Sequence, residues 1–250
     1  LYGCGKLNKI VASCYKKGIL EGYKIVGCYS KTKEHREELS EFLNIPSCDS
    51  YDDLLNLNLD YIVEATNPQA TKDILEKTLE RKVNVILLSI GALSDREYYE
   101  HIKDLCIKNN VRVHLASGAI SGFEVLKTAQ IMGLTKASLT NTKGPNALKK
   151  TSLYNKNMLI KEDVAFLGSA KEAINNLPTG INVGVATALA TMGVDDTIIK
   201  IQTKPNFVGD SQCIDFECGD EIKGHLDLYS KTSDIAGYSV VALLNNLVSP

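Results

Sequence analysis

Through the first 115 residues, short apolar runs of strand length alternate with longer segments whose apolar residues recur at helical spacing, and that alternation leaves few folds open. Leu1-Tyr2 reads as the end of a strand, Gly3-Cys4-Gly5 as a tight turn, and residues 7–17 as a helix with Leu7, Ile10, Val11 and Cys14 on one face. A strand over 23–29 completes one βαβ unit within ~30 residues, and a second helix over 35–43 follows. A short helix at 51–57, a strand at 61–64, a helix after Asn67-Pro68, a strand at 84–88, a helix at 95–109 and a strand at 112–115 follow. Strands separated by helices pair in parallel and need both faces covered, so the expected fold class is α/β, a doubly wound parallel sheet of Rossmann type.

After Ser117 the rhythm changes. Helices are expected at 122–132, at 171–176 and from about 182, and strands at 136–143, 158–168, 197–203, 212–218 and 223–229, before a last helix at 233–247. That order reads as a second, α+β domain with a mixed or antiparallel sheet packed on helices, and it places a domain boundary near Ser117.

The charge balance narrows the partner. Formal net charge is −2 and no Lys/Arg block runs along the chain, so nothing calls for nucleic acid or a membrane surface, and a small-molecule ligand is expected. Seven cysteines, an odd number without CxxC spacing, fit reduced thiols and a cytoplasmic protein. The four histidines lie far apart and none pairs with a cysteine at zinc-ligand spacing, so no metal is expected. No apolar stretch reaches transmembrane length, and the start at Leu1 without Met reads as a trimmed beginning instead of a signal peptide.

A dinucleotide pyrophosphate needs backbone N–H groups at a helix N-terminus with no side chain in the way. Gly3, Gly5, Lys6 and Leu7 occupy the turn that would do this, and the third glycine of GxGxxG, which governs helix-to-strand packing, is Asn8. The alternative is a tight turn in a doubly wound protein that binds something else. NAD-binding versions end the second strand with an acid; here the place is taken by Ser30, Lys31, Thr32 and Lys33, with Arg36 one turn on, which favours NADP(H) over NAD(H). Lys31 and Lys33 read equally as a solvated loop. Ala65, Thr66 and Asn67, after Glu64, lie at the sheet's carboxyl edge and are candidates to pass under the nicotinamide ribose, or form a plain strand-to-helix turn.

Four further segments complete a pattern: Ser117-Gly118-Ala119-Ile120-Ser121-Gly122 with Val125-Leu126 behind it, the turn Thr142-Lys143-Gly144-Pro145, the run from Pro178-Thr179-Gly180-Ile181-Asn182 to Ala186, and Lys231-Thr232-Ser233 before a helix with Tyr238-Ser239. With the opening glycines, the chain over essentially its whole length resembles the L-aspartate dehydrogenase family. The resemblance implies a dinucleotide-binding domain of residues 1–116 plus the C-terminal helix 233–250, a substrate and dimerisation domain of 117–232, and a homodimer. It implies oxidation of aspartate to iminoaspartate with NAD or NADP, or the reverse reductive amination of oxaloacetate. It also places Ser117, Gly118 and Ala119 near the nicotinamide and Asn182 where substrate and cofactor meet.

One departure from the family is chemical. Its DPxxxxNxH run ends in the expected proton donor, whereas this chain reads Lys204-Pro205-Asn206-Phe207-Val208-Gly209-Asp210-Ser211-Gln212, with Gln212 at the histidine position. A glutamine amide does not transfer a proton near neutral pH, and losing a general acid/base costs ~10²–10⁴-fold. Three explanations stay open: Asp210 takes over if burial raises its pKa, His225 on the neighbouring strand swings in, or the substrate is a preformed imine or activity has been lost. Lys143 and Lys204 are the candidate cations for substrate carboxylates. Cys213 is the cysteine nearest this region, and a reactive thiol there would suit a semialdehyde-type chemistry instead.

Overall fold

In the computed structural model, residues 1–120, 122–177 and 182–248 are described. The chain divides into two compact units, one of Leu1–Gly118 with Asp234–Pro250 and one of Ala119–Ser233.

The first unit is built on a parallel sheet. Strands β1 (Tyr61–Glu64), β2 (Asn84–Leu87) and β3 (Val113–Leu115) pair in parallel in that order. The sheet continues beyond β1 through parallel bridges Glu64 to Tyr2, Tyr2 to Tyr29 and Cys28 to Ser47. Counting these segments along the chain, their spatial order is 3-2-1-4-5-6, the order of a dinucleotide-binding fold, and it reverses between Tyr2 and β1. The strand expected over 23–29 is realised only as those bridges at Cys28 and Tyr29. Its neighbours are the two residues Leu1 and Tyr2 on one side and Ser47 on the other, too few to extend a ladder.

Helices α1 (Lys6–Lys16), α2 (Lys33–Leu43), α3 (Tyr51–Leu55), α4 (Pro68–Glu80), α5 (Arg96–Asn109) and α9 (Asp234–Val248) cover this sheet. Their ends follow local chemistry. The Asn67 carboxamide oxygen accepts from Ala70 N–H with Pro68 at the first helical position of α4, and Asp95 accepts from Tyr98 N–H at the start of α5. Val240, Val241 and Leu244 of α9 are buried in one cluster with Val11, Ala12 and Cys14 of α1. Gly237 is required there, since a Cβ would lie 2.9 Å from Ile10 Cδ1 and 3.1 Å from the Leu7 carbonyl oxygen.

The second unit is a five-stranded sheet ordered β5-β6-β4-β7-β8, from β4 (Lys136–Lys143), β5 (Asp163–Ser169), β6 (Ile198–Thr203), β7 (Asp210–Cys218) and β8 (Ile222–Ser230). Strands β4 and β6 are parallel and the other pairs antiparallel, so the sheet is mixed. A parallel pair needs a crossover, which the chain makes through α7 (Ala170–Asn176) and α8 (Asn182–Ala190). The expected strand over 158–168 starts only at Asp163. Lys156–Leu159 is instead a 3-10 turn, opened by the Asn155 side chain accepting from Asn157 N–H and anchored by buried Met158.

Strand alternation gives this sheet two different faces. Ala137, Leu139, Ile199, Ile201, Ile214 and Phe216 are buried on the inner face, where the Cys218 thiol also meets the Ala129 carbonyl of α6 (Phe123–Met132). Gly224 is opposite Phe216, whose ring fills the space of a side chain: a Cβ would lie 2.0 Å from its Cζ. Among the described residues no helix is long and apolar enough to cross a membrane.

Candidate active site

The glycine turn lies where the strand order of the first unit reverses. Gly3 has φ +89°, and a Cβ on it would lie 2.6 Å from the Ala65 carbonyl oxygen and 2.6 Å from Thr66 Cγ2, so only glycine lets the turn approach the loop after β1. Gly5 is the N-cap of α1 with no side-chain cap, and a Cβ there would meet nothing within 4 Å. The space beside Gly5, at the positive end of the α1 dipole, is therefore open, which fits a pyrophosphate. Asn8, at the third-glycine position, is fully buried. Its Nδ2 donates to the carbonyls of Gly3 at 2.7 Å, Tyr2 at 3.0 Å and Val63 at 3.4 Å, so an amide ties helix to strand where a glycine would have let them touch. Leu7 packs against the core and offers the turn only its backbone, while Lys6 pairs with Asp234. A cavity of about 600 Å³ opens beside the turn, lined by Gly5, Lys6, Lys9, Ser13, Lys17 and His35.

Among the residues after the second strand, Lys31 and Lys33 are largely exposed. Their carboxylate partners are loose, Asp73 at 3.8 Å and Glu37 at 3.5 Å. Arg36 is committed, with its guanidinium 2.6 Å from Asp49 and bonded to the Ser30 carbonyl at 3.4 Å.

The loop after β1 is fixed by a carboxylate the sequence did not single out. Glu64 is fully buried, and its Oε1 accepts from Thr66 N–H at 2.6 Å, Thr66 Oγ1 at 2.6 Å and Ser89 Oγ at 2.8 Å, while Oε2 accepts from Ser89 N–H at 2.9 Å. Ala65 and Thr66 are thereby held against Gly3, while the Asn67 side chain is spent on capping α4. Gly118, with φ +61°, donates its N–H to Ser239 Oγ of α9 at 3.0 Å and so fixes the end of the Ser117 segment. Ala119 falls in the second unit, Asn182 opens α8, and Ser121 and Pro178 through Ile181 of the motif segments lie outside the described residues.

In the second unit, register assembles a polar patch on the otherwise apolar inner face. Lys143 is opposite Asp210 and Asn141 opposite Gln212, and alternation points all four to one side. The Lys143 ammonium lies 3.4 Å from Asp210 Oδ1, with 17% of its side chain exposed against 48% for Asp210. Gln212 is 4% exposed, and its Oε1 has no hydrogen-bond partner. Asn141 is buried and donates to the Ser211 carbonyl at 3.4 Å. The sequence reading missed Asn141, although its place two residues before Lys143 on a strand was the available signal. The loop before β7 is locked in place: a Cβ on Gly144 would lie 2.4 Å from the Phe207 carbonyl oxygen, and Tyr229 OH donates to the Val208 carbonyl at 2.9 Å.

Four readings of the sequence meet the geometry differently. His225 is not beside Gln212: it is an odd number of residues away in register terms, on the exposed outer face, with Nδ1 2.7 Å from Asp215 Oδ1, and that carboxylate raises its pKa above the ordinary imidazole value. Cys213 shares that outer face, and its thiol is pushed up by burial and by Asp215 and Asp227, which does not suit a nucleophile. Lys204 donates its backbone N–H to the Lys143 carbonyl at 3.2 Å, but its ammonium is taken by Glu162 at 3.2 Å and more than half of its side chain is exposed. The burial that Asp210 would need to act as an acid is also lacking, at 48% exposure.

Residues 3–116 match the model of the homoserine dehydrogenase NAD binding domain, and residues 124–247 match that of the aspartate dehydrogenase C-terminal domain. The L-aspartate dehydrogenase of Methanocaldococcus jannaschii is 28% identical over 259 residues, covering 100% of this chain and 96% of that one. That of Nitrosopumilus maritimus is 30% identical over 213 residues, 82% of this chain and 78% of that one. The chain belongs to the L-aspartate dehydrogenase family. The crystal structure of aspartate dehydrogenase from Thermotoga maritima shares the fold, with a TM-score of 0.79 at 22% identity over 99% of this chain and 95% of that one. Within the L-aspartate dehydrogenase family, the first unit is its nicotinamide-dinucleotide-binding domain, and the 3-2-1-4-5-6 order with its bare glycine turn is the physical form of that assignment.

Proposed function

We propose that this member of the L-aspartate dehydrogenase family transfers hydride between NADP(H), favoured over NAD(H), and a small dicarboxylic amino acid or its imino acid, aspartate or a near relative. The observation that carries the reading is a largely buried cation and, on the same sheet face, a buried amide whose oxygen has no partner: Lys143 and Gln212. A carboxylate of the substrate takes a charge-assisted bond from Lys143. Its nitrogen, as ammonium or iminium, donates to Gln212 Oε1 and Asp210, both acceptors. Bound at Gly3 and Gly5, the nicotinamide cofactor supplies or accepts the hydride. Lys31 and Lys33, exposed and loosely paired, support the preference for the extra ribose phosphate of NADP.

Gln212 decides where the substrate's nitrogen proton can go. A protonated imine already bears its nitrogen proton, so reduction needs only hydride at carbon. Oxidation must first strip a proton from the substrate ammonium, which Gln212 cannot take, so this step falls to solvent. Oxidation therefore draws on the free-amine form of the substrate and climbs with pH as that form grows. The test is a panel of oxo acids with ammonium, and of amino acids, followed by nicotinamide absorbance with each cofactor. Turnover of oxaloacetate with ammonium, its imine forming with loss of water before the hydride arrives, and oxidation of aspartate that rises with pH are expected, both with the NADP form of the cofactor preferred. Saturable NADPH binding without turnover on any acid would overturn the catalytic reading and leave a binding protein.

A further inference from the structure

The outer face of the second unit's sheet carries a cluster that the proposed reaction does not use. Cys213 and Asp215, two residues apart on β7, point to the same side, and the register sets His225 opposite Asp215 and Asp227 opposite Cys213. The Cys213 sulfur lies 3.7 Å from Asp215 Oδ2 and 3.7 Å from His225 Nδ1, and Nδ1 lies 2.7 Å from Asp215 Oδ1. One donor atom from each of the three falls within 4.8 Å of the others. We infer that Cys213, Asp215 and His225 form a binding site for a single divalent transition-metal ion of the zinc class.

The distances suit such an ion. Zinc bonds of ~2.3 Å to sulfur and ~2.0–2.2 Å to nitrogen and oxygen, at tetrahedral angles, set donors roughly 3.3–3.6 Å apart. Both sulfur separations are already near that spacing, and the His225–Asp215 hydrogen bond has to open by about 0.6–0.7 Å, with the proton it holds and that of the thiol released as the ion binds. With side chains 63% and 57% exposed, neither residue is held against that movement. Donor chemistry selects the ion: thiolate with imidazole and one carboxylate suits zinc, whereas calcium and magnesium require oxygen donors throughout. Asp215 and His225 also wall a cavity of about 540 Å³ with Ser138, Asp196 and Lys223, so a fourth coordination position opens to water or a small anion. Asp227, bonded to Ser211 Oγ at 3.2 Å, adds negative charge at the rim.

The same three residue types also make up a nucleophilic triad, and the geometry speaks against one. The sulfur is 3.7 Å from Nδ1 and 3.8 Å from Nε2, equidistant from the two ring nitrogens, so neither nitrogen is aimed at it as a base. Spacing along the chain hides the metal site, because Cys213 and His225 are brought together only by the β7–β8 register.

The full chain, reduced and stripped with a chelator, is titrated with Co²⁺ and then with Zn²⁺ as competitor. One equivalent of Co²⁺ with a thiolate-to-metal absorption band, displaced by Zn²⁺, is expected. Cys213→Ser should abolish the band, and Cys213→Ser and His225→Ala should each weaken Zn²⁺ binding at least ~10-fold, since even groups that only orient ligands cost about 10–100-fold. Cys106→Ser, at a half-buried cysteine of the first unit, should leave the band intact. No band in the unaltered protein, or a band that persists in Cys213→Ser, overturns the proposal. Both replaced side chains lie on an exposed sheet face, and an unchanged melting temperature without metal shows that the variants fold.

Discussion

Replacing Gln212 by His puts a proton-transfer group back where the chain has none. The site can take it: Gln212 is 4% exposed, its Oε1 lacks a partner, and a histidine of similar length presents a ring nitrogen in that place. A positioned acid or base is worth ~10²–10⁴-fold, and the low end is expected here because the residues around position 212 did not evolve to orient a ring. The gain should appear in both directions, since the substitution leaves the equilibrium constant unchanged and the group that takes the ammonium proton in oxidation returns it in reduction. Aspartate oxidation and iminium reduction should each rise ~10²-fold in kcat/KM near neutral pH. In the unaltered protein oxidation should keep climbing with pH into the amine range. In Gln212→His it should level off once the new imidazole is neutral, at a pH set by burial and the Lys143 cation, which lower its pKa, against the Asp210 carboxylate, which raises it. Steady-state kinetics in both directions from pH ~6 to ~10 covers both limbs. Identical rates and pH profiles for the two proteins would refute the placement of Gln212 at the reacting nitrogen.

The other expectations concern single contacts. Lys143→Met should raise KM for the dicarboxylate by ~10–100-fold, the equivalent of one charge-assisted bond of ~1.5–3 kcal/mol, while cofactor affinity stays unchanged; an unaltered KM removes Lys143 from the site. Gly3→Ala forces a Cβ to within 2.6 Å of the Ala65 carbonyl oxygen at φ +89°, and should cost ~1–3 kcal/mol, seen as a melting point lower by ~2–4 °C per kcal/mol, together with lost NADPH binding; a normal melting point contradicts the close approach. Lys31→Glu with Lys33→Glu should weaken NADPH about tenfold and leave NADH within ~2-fold, and equal losses for both would show that the lysines do not read the ribose phosphate. Glu64→Gln puts an NH₂ group against either Ser89 N–H or Thr66 N–H whichever way the amide turns, so ~2–3 kcal/mol of stability should go, measured by denaturant unfolding.

What the sequence made legible was what depends on neighbours along the chain. The alternation of periods announced the parallel sheet, and Gly3 and Gly5 announced the turn, because a strand–turn–helix is specified within about a dozen residues. Asn8 shows the limit: the missing glycine was visible, but not that an amide would bond the carbonyls of Tyr2, Gly3 and Val63 in its place. Glu64 was equally hidden, since its donors come from Thr66 and from Ser89, residues joined only when β1 and β2 pair. The polar patch turns on parity. Gln212, Cys213 and His225 look like neighbours to anyone counting along the sequence or across strands, yet a strand sends adjacent residues to opposite faces, and a shift of one residue decides which chemistry each side chain meets. Starting β7 at Asp210 puts Asp210 and Gln212 beside Lys143 and Asn141 on the inner face, and it deprives Gln212 of the one imidazole that sequence placed near it. That same step sets His225 against Cys213 and Asp215 on the outer face, so the absence of a proton donor in the patch and the presence of a three-donor cluster behind it have a single geometric origin.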